Sequence, residues 1–590
     1  MWVAMKNAKQ KKSSGGSRAQ ILVLVVLAII LLALLITGGY VYYNKFYLPR
    51  VIAAQVTPAP EPTPEPTPEP TPEPVYTSAY IASDNATITI TAENGDELFT
   101  LSRGTEISYT RDLPAPDGFV LFRTAEGAEG YLPEEHLTED YAACVTTETL
   151  YVRTAMNLRS SDSLALGALM EKGTEVAVLG FDYLNEDGSV HMYKITDGEN
   201  TGFLLPSYLT ADAEEAVAPY DYEGNYRLHV DRGDSYGGGD AGSLDYYPRE
   251  DPVFEDNTMP EEVRALYLNI ETPRAIESYL EIAEATGINA FVIDITDGES
   301  VGYTSEVMAQ YSPTPYSHGY WTLEEYRDAV ATLKEAGYYV IGRITCFKDY
   351  YFGQDHPECV IAGADGNPLS LQGSYWPTPY NRYVWEYKVA LAVDAVENIG
   401  FNEIQFDYVR FPDNTYSYDK AGTIDYLNEY GENKAQAIQR FTMYACDVLH
   451  EHGAYVSVDV FGESAFTYVT AYGQYWPALS NVADAISGMP YPDHFSAEGD
   501  YLPWTHPYNT LYNWATSVVA RQQETATPAA VRTWIQAYDA IRSPYNTYGA
   551  DEVAAQIRGL RDAGITGGYM TWNGGSSLTK YWQISSAFNI

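Results

Sequence analysis

The stretch GFNEIQFDYVRFP, residues 400–412, decides how this chain is read. At the two-residue period of a strand, Glu403, Gln405 and Asp407 point to one side, and Ile404, Phe406 and Tyr408 to the other. A strand with carboxylate and amide groups along one face, ending in Arg410, Phe411 and Pro412, takes its meaning from its neighbours.

Those neighbours are seven similar runs: ALYLNI (265–270), AFVIDITDG (290–298), YYVIGRITCF (338–347), AYVSVDVFGE (454–463), DAISGMPYP (484–492), RTWIQAYD (532–539) and GGYMTWNG (567–574). Between them lie segments such as RAIESYLEIAEATG (274–287) and LEEYRDAVATLKEAG (323–337), with apolar residues three and four apart and a terminal Gly as helix stop. Eight strands, each followed by a helix, predict an α/β fold of the (β/α)8 TIM-barrel type over residues 259–590. An open doubly wound sheet is the alternative, but no GxGxxG or GxxxxGKS follows an early strand.

Chemistry in such a barrel gathers at the C-terminal ends of the strands. Glu403, Gln405 and Asp407 then line the interior, with Asp407 nearest the top. The fifth strand turns Ser457, Asp459, Phe461 and Glu463 to one face and Val456, Val458 and Val460 to the helices. The second strand adds Asp294, with Asp297 in its loop; the seventh adds Gln536 and Asp539, and the eighth Trp572 and Asn573. Two carboxylates in an aromatic-walled cleft suit glycosidic cleavage, in which one protonates the leaving oxygen while the other attacks the anomeric carbon or activates water. A low-dielectric mouth raises one carboxyl pKa while Arg343 or Arg410 keeps the other ionised. Asp407 is the expected nucleophile or base and Asp459 the preferred acid. Arg343, Tyr408, Arg410 and Gln536 would orient these groups or the sugar, and Trp376, Trp504 and Trp572 are candidate stacking platforms. Asp294, Glu463, Asp493 and Asn573 complete the expected substrate-binding set. No cofactor or metal is called for.

The rest of the chain says where such a barrel would work. A length of 590 residues implies roughly two to four domains. A net charge of −45 repels nucleic acid, whose binding rests on Lys and Arg. The 53 Tyr and 10 Trp supply flat amphipathic rings of the kind a neutral sugar stacks on, though Tyr is also a good surface strand former. Cys144, Cys346, Cys359 and Cys446 show no CxxC spacing, which excludes a zinc ribbon. Free buried thiols are expected, with a Cys346 to Cys359 bridge as the alternative in an oxidising compartment.

Residues 1–20 form a basic tail with Lys6, Lys9, Lys11, Lys12 and Arg18, followed by ILVLVVLAIILLALLI at 21–36. Extended to Tyr43, this apolar run reaches the roughly 20 residues of a membrane-spanning helix. The basic flank predicts a single-pass anchor in the cytoplasmic membrane with the C-terminal bulk outside. A cleaved signal peptide is the competing reading, and GGYVYYNKFYLPR offers it no clear small-x-small site. Residues 44–75 are a Pro/Glu/Thr-rich stalk, whose segment 58–74 would span about 50 Å as polyproline II. Within 75–212, RGTEISYT (103–110) echoes KGTEVAVLG (172–180), and GYLPEEHLTE (130–139) echoes GFLLPSYLTA (202–211), a weak repeat of short strands. Residues 144–212 resemble the bacterial SH3-like domains through Asn157, Arg159, Ser160, Gly173 and Thr174; residues 76–140, a weaker module, lack the N-x-R-S segment. That resemblance implies modules that hold an enzyme at peptidoglycan. Residues 213–258 read as a flexible linker; DRGDSYGGGD (231–240) does not fit calcium-loop spacing.

The run NRYVWEYKVALAVDAVENIGFNEIQFDYVRFP (381–412), with NAFVIDITDG, GRITCF, VSVDVFG, GMPYPDHF, RTWIQAYD and GGYMTWNG, is similar to a glycosyl hydrolase family of bacterial (β/α)8-barrel proteins over about residues 262–590. The resemblance implies distant kinship with the alpha-amylase and alpha-galactosidase groups, whose nucleophile is an Asp ending the fourth strand, a position matched by Asp407. In the alpha-amylase group the donor ends the fifth strand, where this chain has Asp459 rather than the usual Glu; the alpha-galactosidase group draws its donor from the sixth, near Asp493. The expectation is a membrane-anchored extracellular glycoside hydrolase acting on a cell-wall or environmental polysaccharide, peptidoglycan included. The rival is a non-catalytic glycan-binding wall scaffold. A protease is disfavoured, since neither HExxH nor GxSxG occurs.

Overall fold

The computed structural model describes residues 74–590 apart from short stretches at 84–85, 90–96, 102, 126, 145–147, 162 and 186. The expected basic tail, the membrane helix at 21–43 and nearly all of the stalk lie outside the described residues. Among the described residues no helix is long and apolar enough to cross a membrane. The four cysteines are buried and free, so Cys346 and Cys359 are not bridged.

The eight expected strands are β1 (Val263–Leu268), β2 (Ala290–Asp297), β3 (Tyr339–Thr345), β4 (Glu403–Asp407), β5 (Tyr455–Phe461), β6 (Ala485–Met489), β7 in two pieces (Ala530–Val531 and Thr533–Gln536) and β8 (Gly568–Trp572). Eight helices follow them: α1 (Ile276–Glu284), α2 (Leu323–Glu335), α3 (Arg382–Asp394), α4 (Lys434–Glu451), α5 (Trp476–Ser480), α6 (Pro507–Gln522), α7 (Ala550–Asp562) and α8 (Leu578–Ile584). β1 to β6 pair in order and in parallel, and β8 returns to β1. The first piece of β7 pairs with β6 and the second with β8, so the sheet is closed but for Arg532. Even there, the Arg532 N–H donates to the Ile486 carbonyl at 3.1 Å. An open doubly wound sheet is thereby excluded.

Local sequence explains the helix starts. Thr322 with Glu325, and Asn433 with Gln436, form capping boxes at α2 and α4, each satisfying backbone N–H groups that the first turn leaves without partners. The barrel interior follows the two-residue period: Ala265 and Tyr267 of β1, Val292 of β2, Ile341 of β3, Tyr455 of β5, Trp534 of β7 and Met570 of β8 pack together there. At its lower end Glu403 accepts from Arg532 (2.5 and 2.7 Å), Ser457 (2.5 Å) and Tyr339 (2.9 Å), so a buried carboxylate is both paired and hydrogen-bonded. Gln405 sits above it, donating to Ser487 at 3.3 Å.

Two seven-stranded antiparallel sheets precede the barrel. Counted from each sheet's own first strand, both run third, second, sixth, fifth, fourth, first, seventh. The echoed segments occupy equivalent places: 103–110 and 172–180 supply the fourth strands, and 130–139 and 202–211 lead from the sixth strands through a 3-10 turn into the seventh. In the second sheet the residues of the N-x-R-S segment face the barrel. Asn157 Oδ1 accepts from Arg382 of α3 at 2.9 Å, and Arg159 meets both oxygens of Glu451, at the end of α4, at 2.6 and 3.1 Å. Tyr208 OH donates to Asp447 of α4 at 2.5 Å.

Residues 213–258 are not a flexible connection. His229, Ala241, Leu244 and Tyr246 are buried, and the last three pack with Ala435, Val469 and Tyr475 of the barrel. Arg232 pairs with Glu524 and Arg249 with Asp447. The segment holds two helices of one to two turns, Ala213–Val217 and Tyr226–Asp231, too short to show a period in sequence, and is otherwise ordered by ring contacts and ion pairs.

Glu451 also lies 3.2 Å from His191, whose other ring nitrogen meets Asp182 at 2.7 Å. Burial disfavours charge on both, yet the pairing prevails: His191 is raised from an ordinary 6.5 to about 9, and Glu451 is lowered from 4.5 to about 2. The contribution from His191 is complete below pH 6.5 and lost as pH rises through 9; that from Glu451 is complete above 4.5 and lost as pH falls towards 2. Docking of the second sheet should be strongest between these limits. Glu451→Gln should flatten the melting temperature against pH on both sides, and an unchanged profile would refute the assignment.

Candidate active site

Arg343, carried inward by the alternation of β3, is the hub of the barrel top. Its Nη1 lies 2.6 Å from Asp294 and 3.5 Å from Asp297, its Nη2 2.5 Å from Asp407, and its Nε 3.6 Å from Asp459. The guanidinium also lies 5.4 Å from the Trp572 ring centre and 5.9 Å from that of Tyr267. A planar fork of fixed donors is the cation that can serve several carboxylates at once.

Three of these carboxylates have a second partner. Asp294 accepts from the Tyr267 hydroxyl, Asp407 from the Tyr408 N–H at 2.5 Å, and Asp459 from the Trp534 indole N–H at 2.7 Å. Asp459 Oδ2 and Arg343 Nε face each other buried, with no hydrogen-bond partner. Tyr408 has φ of 53°, a left-handed conformation costly for a bulky residue and held beside Asp407 by the β3 exit, where Cys346 N–H donates to the Asp407 carbonyl at 2.8 Å.

Burial pushes the Asp459 carboxyl well above the usual carboxylate range, and the charge of Asp407 pushes it further, against the lowering effects of Arg343 and the Trp534 N–H. Burial likewise carries Asp294 up to about 7, even with Arg343 beside it. Asp407 is 6% exposed and Asp459 1%. Above them opens a cavity of about 830 Å³, walled by Tyr408, Phe461, Tyr491, Trp534 and Trp572, with Glu463, Tyr468, His494 and Arg542 also lining it. Asp297, Asp413 and Glu463 lie along its sides, with Arg410 and Arg542 among them, so the lining carries charges of both signs. Among the described residues no His, Cys, Asp and Glu side chains group as metal ligands.

Of the residues expected from sequence, Arg343, Asp407, Tyr408, Arg410, Asp459, Glu463 and Trp572 line this cavity. Arg410 does not neutralise either catalytic candidate: its charge meets Asp413 at 3.0 Å and its plane lies over Phe461 at 4.2 Å. Asp294 reaches the site from beneath, through Arg343. Trp376, 1% exposed, packs behind Tyr408 and Arg410, its N–H bonded to the Leu371 carbonyl. Trp504 is buried with Ala540 and Tyr548. Neither indole is a stacking platform. Asp493 is closed off by Tyr538 OH and the Ile541 N–H, Gln536 by Asp493 and Tyr538, and Asn573 is buried outside the lining. Asp539 bonds Lys580 at 2.6 Å. The residues missed include Tyr267 and Trp534, which hold Asp294 and Asp459, and Phe466, Tyr468, Tyr491, His494 and Arg542 of the cavity lining. The period that selected Gln536 also turns Trp534 inward, two residues earlier.

Residues 265–578 match a family model described as "Putative glycosyl hydrolase domain", a span from within β1 into α8. The chain belongs to this family. It is by that membership a glycosyl hydrolase. Among solved structures it is similar to a hypothetical protein from Ruminiclostridium thermocellum ATCC 27405, at 31% identity, 33% of this chain, 97% of that chain and a TM-score of 0.28. It is also similar to the PgaB (BpsB) glycoside hydrolase domain from Bordetella bronchiseptica, at 13% identity, 56% of this chain, 99% of that chain and a TM-score of 0.42. A chitinase from Chromobacterium violaceum ATCC 12472 matches at 13% identity, 55% of this chain, 99% of that chain and a TM-score of 0.32. No curated protein matches the chain.

Replacing Arg343 by Met would leave three buried carboxylates without their counter-charge. Urea denaturation should report a loss of about 3–5 kcal/mol, partly recovered when Asp294→Asn is added. An unchanged midpoint would show that the guanidinium does not hold the floor together.

Proposed function

We propose that this glycosyl hydrolase uses Asp407 as nucleophile or base and Asp459 as proton donor in a two-carboxylate mechanism. The observation that carries the reading is the shared guanidinium of Arg343, against which the two carboxyl groups stand in unlike surroundings. Asp407 is ion-paired and open to the cavity, which suits attack on the anomeric carbon or on water. Asp459 is buried, close to a second negative charge and bonded to a neutral donor, which keeps its proton available for the leaving oxygen. Positive charge growing on the sugar ring would lie beside the Asp407 carboxylate, an interaction favoured more in the transition state than in the ground state.

The substrate in this proposal is a cell-wall or environmental polysaccharide. Residues 21–43 would anchor the chain in the cytoplasmic membrane as a single-pass protein with its bulk outside, and the Pro-rich stalk would lift the barrel into the depth of the wall. The second β-sheet module, on its resemblance to bacterial SH3-like domains, would add a wall-facing element, although its Asn157 and Arg159 serve the barrel.

Reducing-end release from a panel of glycans, peptidoglycan included, tests the proposal. The full-length chain in mild detergent should release ends from at least one glycan, and Asp407→Asn and Asp459→Asn should each lower the rate by roughly 10²–10⁴-fold. Binding without release, unchanged in both variants, would instead establish the non-catalytic scaffold.

The pH profile gives a second test. The donor must be protonated, so kcat/KM should be lost as pH rises through the Asp459 titration. The Trp534 N–H holds that titration down, so Trp534→Phe should move the alkaline limb to higher pH while lowering kcat. A limb that stays in place would remove Asp459 from the donor role.

A further inference from the structure

Large aromatic side chains continue out of the cavity and across the surface. Phe466 and Tyr468, in the loop after β5, both line the cavity, and Tyr468 donates its hydroxyl to Glu463 at 3.0 Å. From there the rings pass to Tyr236, in segment 213–258, and to Tyr416, in the helix Thr415–Ala421 after β4. Successive ring centres are 6.0 Å (Phe466 to Tyr468), 4.8 Å (Tyr468 to Tyr236) and 5.8 Å (Tyr236 to Tyr416) apart. Phe466 and Tyr236 are each 39% exposed and Tyr416 is 38% exposed.

Three separate parts of the chain converge to make this row. Most other large rings among the described residues are buried or half-buried, and aromatic side chains gain much of their stabilisation from burial. A contiguous row at the mouth of a cleft, with three of its four rings partly open to water and Lys420 over the ring of Tyr416 at 4.2 Å, points to a binding surface. Its continuity with the cavity says what lies on it. The occupant enters the cavity, so it shares the chemistry of the substrate, and a chain of net charge −45 turns away polyanions. Neutral sugar rings fit: their apolar faces stack on aromatic rings and their hydroxyls reach phenol groups. Successive rings are tilted by 43°, 53° and 68°, so the ledge twists along its length.

We propose that Phe466, Tyr468, Tyr236 and Tyr416 form a track for a neutral glycan chain running outward from the cleavage point, so that the enzyme acts within long chains rather than only on terminal units. The proposal rests on the glycosyl hydrolase reading of the cavity and adds the form of the substrate. It also assigns a function to segment 213–258, which places Tyr236 between two barrel loops.

The test uses the full-length chain in mild detergent carrying Asp407→Asn, which prevents turnover. Calorimetric titration with malto-, cello- and chito-oligosaccharides, each of two and six units, gives the affinity gained with length. In at least one series the six-unit chain should bind about tenfold more tightly than the two-unit chain. Adding Tyr236→Ala and Tyr416→Ala should abolish that gain, and Tyr236→Phe with Tyr416→Phe should restore it, with melting temperatures unchanged throughout. A gain that survives the Ala pair, or no gain in the parent, overturns the track while leaving the cavity reading intact. No binding of any series at either length overturns both.

Discussion

Arg343 is the interaction on which the upper half of the barrel depends. Three carboxylates, from β2, β4 and β5, converge on one buried guanidinium. Isolated charges could not be carried into such a place, because removal from water costs each several kcal/mol unless a partner and hydrogen bonds replace the lost solvation. Tyr267, Trp534 and the Tyr408 N–H supply the remaining bonds. The lower half repeats the solution with different residues, Arg532 meeting Glu403 across the barrel from β7. The interior therefore consists of two ionic layers separated by neutral side chains, and the upper one faces the cavity.

The same ionic floor sets the chemical character of the site. Burial and neighbouring negative charge raise the proton affinity of Asp294 and Asp459, even with a cation beside them. Unlike carboxyls side by side are what a donor and a nucleophile require. The walls are aromatic because the inward positions of β7 and β8 place Trp534 and Trp572 there, and because the end of β5 and the loop after β4 bring Phe461 and Tyr408 alongside.

The N-terminal parts are joined to this barrel by specific contacts. The second β-sheet module places Asn157 and Arg159 on α3 and α4, and segment 213–258 adds Arg232, Arg249 and a buried Tyr246. Tyr236 of that segment then meets Tyr468, which lines the cavity. Residues that look like linker in one dimension pack against the barrel in three.

The strands, their order and the inward positions of Asp294, Arg343, Asp407 and Asp459 were legible in the sequence, because a two-residue period and a Gly-terminated helix are local properties that survive any packing. The identical strand order of the two small sheets was foreshadowed by repeated segments for the same reason. Partner choice was not legible. Arg343 and Arg410 look alike beside Asp407, yet one turns into the barrel and gathers three carboxylates while the other turns to Asp413 and Phe461. Trp376, Trp504 and Trp572 are equally aromatic, yet packing buries the first two and only Trp572, at the end of β8, lines the cavity. Segment 213–258 has no periodicity, so its order depended on rings and ions far away in sequence. The sequence by itself determined the fold and the layer in which the chemistry lies; tertiary structure decided which side chains meet, because burial and pairing depend on groups brought together only when the sheet closes.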